Sequence, residues 1–201
     1  MDVLVGTQMV AKGHDFRRIT LVAAVNPDSA LFSSDFRAPE RLFALLMQAA
    51  GRAGRDATQA AASEMWVQTW HPQHALYAAL KAHDYAAFAA QQLAERRSAG
   101  LPPFSHLALL RAEAKTIEAA AGFLADASAL ADDAAGVTLY PPVPPPVSRV
   151  ADVERMQMLV ESASRPALQR FLAAWLDQLP PLRARHKGLV RWAIDVDPLA
   201  I

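Results

Sequence analysis

The chain has 201 residues, 53% of them hydrophobic, with 20 lysines and arginines balanced by 20 aspartates and glutamates. That length gives one ordinary domain or two small ones, each with a core, and a formal net charge of zero leaves nucleic-acid binding to local patches rather than to the whole molecule. Cysteine is absent, which removes disulfides, thiolate nucleophiles and cysteine-ligated zinc, and the six histidines do not fall into ligand spacing with carboxylates, so no metal site is expected.

No run of about 18 uncharged apolar residues is present to span a bilayer. The N-terminus reads as a strand, Asp2 to Val5, without a basic segment and apolar h-region, and the expected compartment is the cytoplasm. Val3-Leu4-Val5 is a short apolar run suited to a buried parallel strand. It leads into Gly6-Thr7-Gln8-Met9-Val10-Ala11-Lys12-Gly13-His14-Asp15-Phe16. Here glycines permit tight turns, Thr7 and Gln8 can hydrogen-bond a phosphodiester and Lys12 adds a cation, a set that can track a nucleic-acid backbone without reading bases. Taken alone, an ordinary strand-to-helix loop with a solvated Lys12 explains these residues better.

Ile19 to Val25 reads as a second buried strand, followed by a loop with Asp28. Pro39-Glu40 then opens a helix whose apolar residues are Leu42, Phe43, Leu45 and Leu46. The helix breaks at Gln48-Ala49-Ala50-Gly51-Arg52-Ala53-Gly54-Arg55. An isolated Gly-Arg pair there is most simply a C-cap, glycine ending the helix and arginine complementing its dipole. In this chain the pair is doubled, and Gln48 lies one turn before Arg52, which puts an amide and a guanidinium on one helical face. A guanidinium grips two phosphate oxygens at once and is charged at any working pH, so the residue types suit the sensing of a nucleoside triphosphate. The pattern Q-x-x-G-R-x-G-R resembles motif VI of superfamily 2 helicases.

Glu64 to Thr69 is a further strand, stopped by His71-Pro72, and an alanine- and leucine-rich helical run extends from about Ala75 to Arg97. Glu95-Arg96-Arg97 and Leu101-Pro102-Pro103-Phe104 follow, the proline pair forcing extended backbone. Arg96 and Arg97 suit a solvated helix end and a DNA contact equally. From Ser105 the pattern alternates: His106 to Ala114 reads as a strand, Thr116 to Leu130 as a helix and Val137 to Tyr140 as a short strand. Pro141, Pro142, Pro144, Pro145 and Pro146 cannot donate to a ladder and read as an exposed connection or an edge. Arg155 to Glu161 is the next strand, Ser164 caps a helix through Leu168, Phe171, Leu172, Trp175 and Leu176, Pro180-Pro181 ends it, and Arg183 to Lys187 is a basic loop before a last strand from Leu189 to Val196.

The series of a G-T-Q-M-x-A-K-G-H-x-F loop, a D-x-A-L-F-S-x-D-F-R-x-x-E-R helix, Q-x-A-G-R-A-G-R, E-R-R, L-P-P-F and W-A-I-D-V-D-P resembles the PriA family of replication-restart helicases along the whole chain. The fold this implies is α/β: a partial RecA-like helicase lobe, a parallel sheet with helices, over 1–72, a helical linker over 73–100, and an α+β, S10-like domain of order β-α-β-β-α-β over 101–201. The resemblance assigns Arg52, Arg55 and Gln48 to catalysis at ATP, Gly51, Gly54 and Asp15 to the nucleotide site, and Thr7, Gln8, Lys12 and His14 to DNA.

Implied cofactors are ATP and Mg²⁺ in the full-length protein, with a zinc site in the family whose cysteines this chain does not have. Implied partners are forked and single-stranded DNA, single-stranded DNA-binding protein and other primosome proteins, in the bacterial cytoplasm at the nucleoid, with no membrane. Arg155-Met156-Gln157-Met158 departs from the family pattern of an aromatic after the arginine. Neither G-x-x-x-x-G-K-[ST] nor a D-E-x-H motif occurs, so the chain reads as a C-terminal fragment inactive as an ATPase by itself. The rival expectation is a DNA- or protein-binding module without a motor role.

Overall fold

The computed structural model describes residues 3–7, 19–33, 35–53, 63–131 and 134–201. They fall into two compact units, Met1–Glu95 and Arg96–Ile201. The fold is mixed α/β, with a parallel sheet in the first unit and an antiparallel sheet in the second.

In the first unit β1 (Leu21–Val25) and β2 (Glu64–Gln68) pair in parallel, from Leu21 opposite Glu64 to Val25 opposite Gln68. Strand alternation turns Ala24, Met65 and Val67 toward the helices and leaves Leu21, Val25 and Trp66 exposed on the other face. Around this pair run α1 (Asp28–Leu31), α2 (Ala38–Ala50), α3 (Ala75–Lys81) and α4 (Tyr85–Ser98). Ala38, Leu42 and Leu46 recur every fourth residue of α2 and, with Phe43, form its buried stripe. They share one core with Leu76, Tyr77, Ala79 and Leu80 of α3 and Phe88 of α4, where the Phe43 and Phe88 rings stack at 4.2 Å.

Two expectations are corrected here. The helical run from Ala75 is two helices, because the chain turns at His83, whose φ of 54° lies in the left-handed region, and the Asp84 carboxylate restarts the helix by accepting the Ala87 N–H at 2.8 Å. Leu76, Tyr77, Ala79, Leu80 and Phe88 of this run share one core with α2. Val3 to Val5 does not form a strand: it finds no ladder partner among the described residues, Val3 and Val5 are 77% and 88% exposed, and an unpaired apolar run has nothing to hold it extended.

The second unit consists of β3 (His106–Ala114), α5 (Ile117–Ala129), β4 (Thr138–Leu139), β5 (Arg149–Val150), β6 (Val153–Ser162), α6 (Arg165–Leu176), α7 (Leu179–Arg185) and β7 (Leu189–Val196). Its sheet is antiparallel in the order β4-β6-β3-β7, with β5 also on β6. The helices cover one face. Leu110, Ala112, Met156, Met158 and Val160 of that face pack on Phe123 and Leu124 of α5, on Leu168, Leu172 and Trp175 of α6 and on Leu179 and Leu182 of α7. The Trp175 indole N–H reaches the Ala127 carbonyl at 2.9 Å, so the largest buried ring is also polar-satisfied.

Thr116 and Ser164 cap α5 and α6, each accepting an N–H three residues on. Pro180-Pro181 does not end the helical region as expected but opens α7, since the first turn of a helix needs no N–H partner. Arg183 and Arg185 consequently lie in the last turn of α7 rather than in a loop. The proline segment is an edge: Tyr140 donates to Leu159 at 2.9 Å, and Val143 and Gln157 exchange two bonds of 2.8 Å. With β4 and β5 it forms one interrupted strand along β6.

Candidate functional site

The arginine-bearing segment begins where α2 ends. Asp35 fixes the start of this helix: its carboxylate accepts the Arg37 N–H at 2.9 Å and the Arg41 guanidinium at 2.6 Å, while its carbonyl takes the Ala38 N–H. At the other end the Arg52 N–H bonds the Ala49 carbonyl at 3.1 Å and the Ala53 N–H the Ala50 carbonyl at 3.1 Å, a tightened last turn that extends past α2. Gln48 is exposed and Arg52 half-buried.

Gly51 between them has φ −67° and ψ −2°, an ordinary right-handed conformation. Among the described residues a Cβ on it would meet nothing closer than the Met47 carbonyl oxygen at 3.5 Å. The left-handed glycine cap is therefore not what this residue provides, and no described residue places a steric demand for glycine at 51. Gly54 and Arg55 lie outside the described residues, as do Gln8, Lys12, His14 and Asp15. Thr7 is described, exposed and without regular secondary structure.

A buried carboxylate holds the other end of β2. Asp28, 7% exposed, accepts the Thr69 hydroxyl at 2.5 Å, the Trp70 N–H at 2.8 Å and the Tyr77 hydroxyl at 3.1 Å. The bond from Thr69, followed by that from Trp70, holds this carboxyl below the usual range in spite of desolvation. Burial in turn pushes the Tyr77 hydroxyl up. Three elements, α1, the end of β2 and α3, are thereby tied at one anion. Sequence reasoning noted Asp28 only as a loop residue. Its position directly after an apolar strand is the signal present, and its partners lie about forty and fifty positions away.

In the second unit the sheet face opposite the helices carries a polar ladder. Across the strands one row runs Arg155, Glu113, Arg191 and the next Gln157, Arg111, Ala193. Glu113 receives Arg191 at 2.8 Å and stands 3.3 Å from the Arg155 Nε. The Arg191 bond, with the charges of Arg191 and Arg155, holds the Glu113 carboxyl below its usual range. Arg111 pairs with Asp195 at 3.0 Å. These rows floor a cleft of about 540 Å³ walled by Pro145, Pro146 and Val147. Among the described residues no group of three or more histidines and carboxylates is placed to hold a metal ion, and no helix is long and apolar enough to cross a membrane.

The family model described as Primosomal protein N C-terminal domain matches residues 97–199, half of the chain, and the chain belongs to that family. Nearly the whole chain is similar to curated relatives named Replication restart protein PriA. That of Haemophilus influenzae is 43% identical over 98% of this chain and 26% of its own length. Those of Treponema pallidum and Bacillus subtilis are 36% and 33% identical, over 100% and 98% of this chain and 30% and 24% of theirs. The chain thus spans between about a quarter and a third of the relatives it matches.

Proposed function

We propose that this chain is the C-terminal part of an ATP-dependent 3′–5′ DNA helicase that recognises stalled or branched replication forks and restarts replication by primosome assembly. Residues 1–72 act as the C-terminal part of a second RecA-like lobe, 73–100 as the helical connection, and 101–201 as an S10-like module for DNA and partners. Single-stranded DNA-binding protein and other primosome components are the partners of this reading, and the bacterial cytoplasm at the nucleoid is its place.

The observation that carries the motor role is Gly51. Its conformation and the described residues around it admit a side chain, so we read the glycine in Q-x-x-G-R-x-G-R as answering to something that approaches the helix end rather than to the turn itself. Bound ATP-Mg²⁺ supplies the phosphoanhydride whose cleavage drives the cycle. Arg52 and Arg55 would hold the charge that develops on the γ-phosphoryl oxygens, Gln48 would hydrogen-bond the same group, Gly51 and Gly54 would leave room beside the nucleotide, and Asp15 would belong to the same nucleotide site. The donor set fits: two guanidiniums and an amide supply only N–H donors toward an anion, apart from one amide oxygen. Thr7, Gln8, Lys12 and His14 track the DNA backbone, and lobe closure moves them along it.

In the full-length parent, Arg52→Ala is expected to lower DNA-stimulated ATP hydrolysis about 10³- to 10⁵-fold, the scale of arginine fingers, with DNA affinity retained. Unchanged hydrolysis overturns the assignment. The 201-residue chain alone is expected not to hydrolyse ATP, and hydrolysis by it would overturn the two-lobe account.

A further inference from the structure

We infer that the cleft on the open sheet face of the second unit seats one nucleotide of a DNA single strand, base and phosphate together. The inference rests on the reading that this unit contacts DNA, and it names the place and the chemistry. Gln157 is the key residue. It is 8% exposed, lies on the floor of the cleft, and its side-chain amide makes no hydrogen bond to any described residue. The polar atoms of this amide are not closed off from solvent, so both its N–H donors and its oxygen are available to what enters the cleft.

The flanking cations are only partly used. Arg155, beside Gln157 on β6, has an Nε shielded from solvent that makes no well-aligned hydrogen bond, its approach to Glu113 notwithstanding. Arg191 spends one contact on Glu113 and Arg111 one each on Asp195 and the Ala200 carbonyl, at 2.8, 3.0 and 3.5 Å. A guanidinium has five N–H donors, so donors remain on this face for a ligand; the lining sets three guanidiniums against Glu113 and the terminal residue Ile201, with Asp195 pairing Arg111.

A backbone phosphodiester accepts hydrogen bonds only and leaves half of what the Gln157 amide offers unmatched. A nucleobase edge presents donor and acceptor side by side, the pairing that glutamine makes with bases. Pro145, Pro146 and Val147 form an apolar wall for the flat ring, and guanidinium planes serve as stacking surfaces beside it. A peptide fits less well. Peptides gain affinity on sheets by adding a strand to an edge, and the edge of β6 next to this cleft is already occupied by the proline segment and β5. The face itself offers side chains, which is how four-stranded sheets take single strands.

The test is binding of a labelled oligothymidylate to the 201-residue chain by fluorescence anisotropy over a salt series, for the parent and for Gln157→Leu, Arg155→Gln and Arg191→Gln, with circular dichroism melts as a folding control. Each variant is expected to weaken binding about tenfold, the scale of one bidentate base or charge-assisted contact, at unchanged melting temperature for Gln157→Leu and with a small fall for the two arginine variants, which each remove a partner of Glu113. Arg155→Gln is expected to reduce the salt slope by about one phosphate contact, and Gln157→Leu to leave it unchanged, because the amide meets the base and not the backbone. Thymidine 5′-monophosphate should displace the oligonucleotide at concentrations where inorganic phosphate does not.

Affinity within about twofold of the parent in all three variants overturns the cleft while leaving DNA binding elsewhere on the chain intact. Equal displacement by inorganic phosphate overturns the base contact. Displacement by an acidic peptide with a free carboxylate, sensitive to the same variants, makes this a peptide site and overturns the proposal. Failure of the chain to bind any DNA overturns it together with the DNA role of this unit, whereas the motor reading is decided separately by Arg52→Ala.

Discussion

Gly51 and Asp28 separate two kinds of constraint on a single residue. At Gly51 the backbone is already right-handed and a methyl group meets only ordinary contacts. Gly51→Ala is therefore expected to leave stability unchanged or to raise it by up to about 1 kcal/mol in urea denaturation of the chain, since alanine loses less backbone entropy. A fall in stability would return the glycine to a structural role. At Asp28 the constraint is internal. Its folded carboxyl titrates below the unfolded value, so the contribution of the network is complete above the ordinary carboxylate range and is lost as pH falls through the lower, folded value. Asp28→Asn is expected to lower the melting temperature at neutral pH and to flatten the decline of stability toward about pH 3, measured by thermal melts across pH. The doubled Gly-Arg pattern was legible because all its residues lie within one helix end. The Asp28 network was not, because its donors come from Thr69, Trp70 and Tyr77, which no local periodicity connects to position 28.

Among the elements, those set by local chemistry were the legible ones. His106–Ala114 and Leu189–Val196 have the bounds their alternation predicts, and the helix expected from Thr116 to Leu130 is Ile117–Ala129 with those two residues as its caps. Removing the hydroxyl in Thr116→Ala exposes one unpartnered N–H and is expected to cost about 1 kcal/mol in urea denaturation. Where the readings failed, one residue type had two meanings. A proline pair stops a helix that precedes it and equally starts one, and at Pro180-Pro181 the burial of Leu179 and Leu182 decides for starting. The break at His83 is marked in the sequence only by Asp84, an N-cap residue inside an otherwise continuous helical run, and the left-handed backbone at His83 has no signal of its own. The rows of the open sheet face became visible only with strand register, which joins Gln157 to Arg111 and Arg155 to Glu113.

For the whole molecule, two cores mean two sets of consequences. Phe123 is fully buried in the second unit, and Phe123→Ala is expected to cost that unit about 3–5 kcal/mol, read as lost amide-exchange protection across β3, β6 and β7. Protection in β1 and β2, which belong to the other core, is expected to change far less. The four tryptophans divide along the same line. Trp66 and Trp70 of the first unit are 61% and 83% exposed, whereas Trp175 of the second is 1% exposed and Trp192 packs against its core. Indoles in water emit toward the red and are open to acrylamide, and indoles in a core emit toward the blue and are shielded. The chain accordingly carries its own two-colour label, in which quenchable red emission follows the parallel pair and protected blue emission follows the antiparallel sheet.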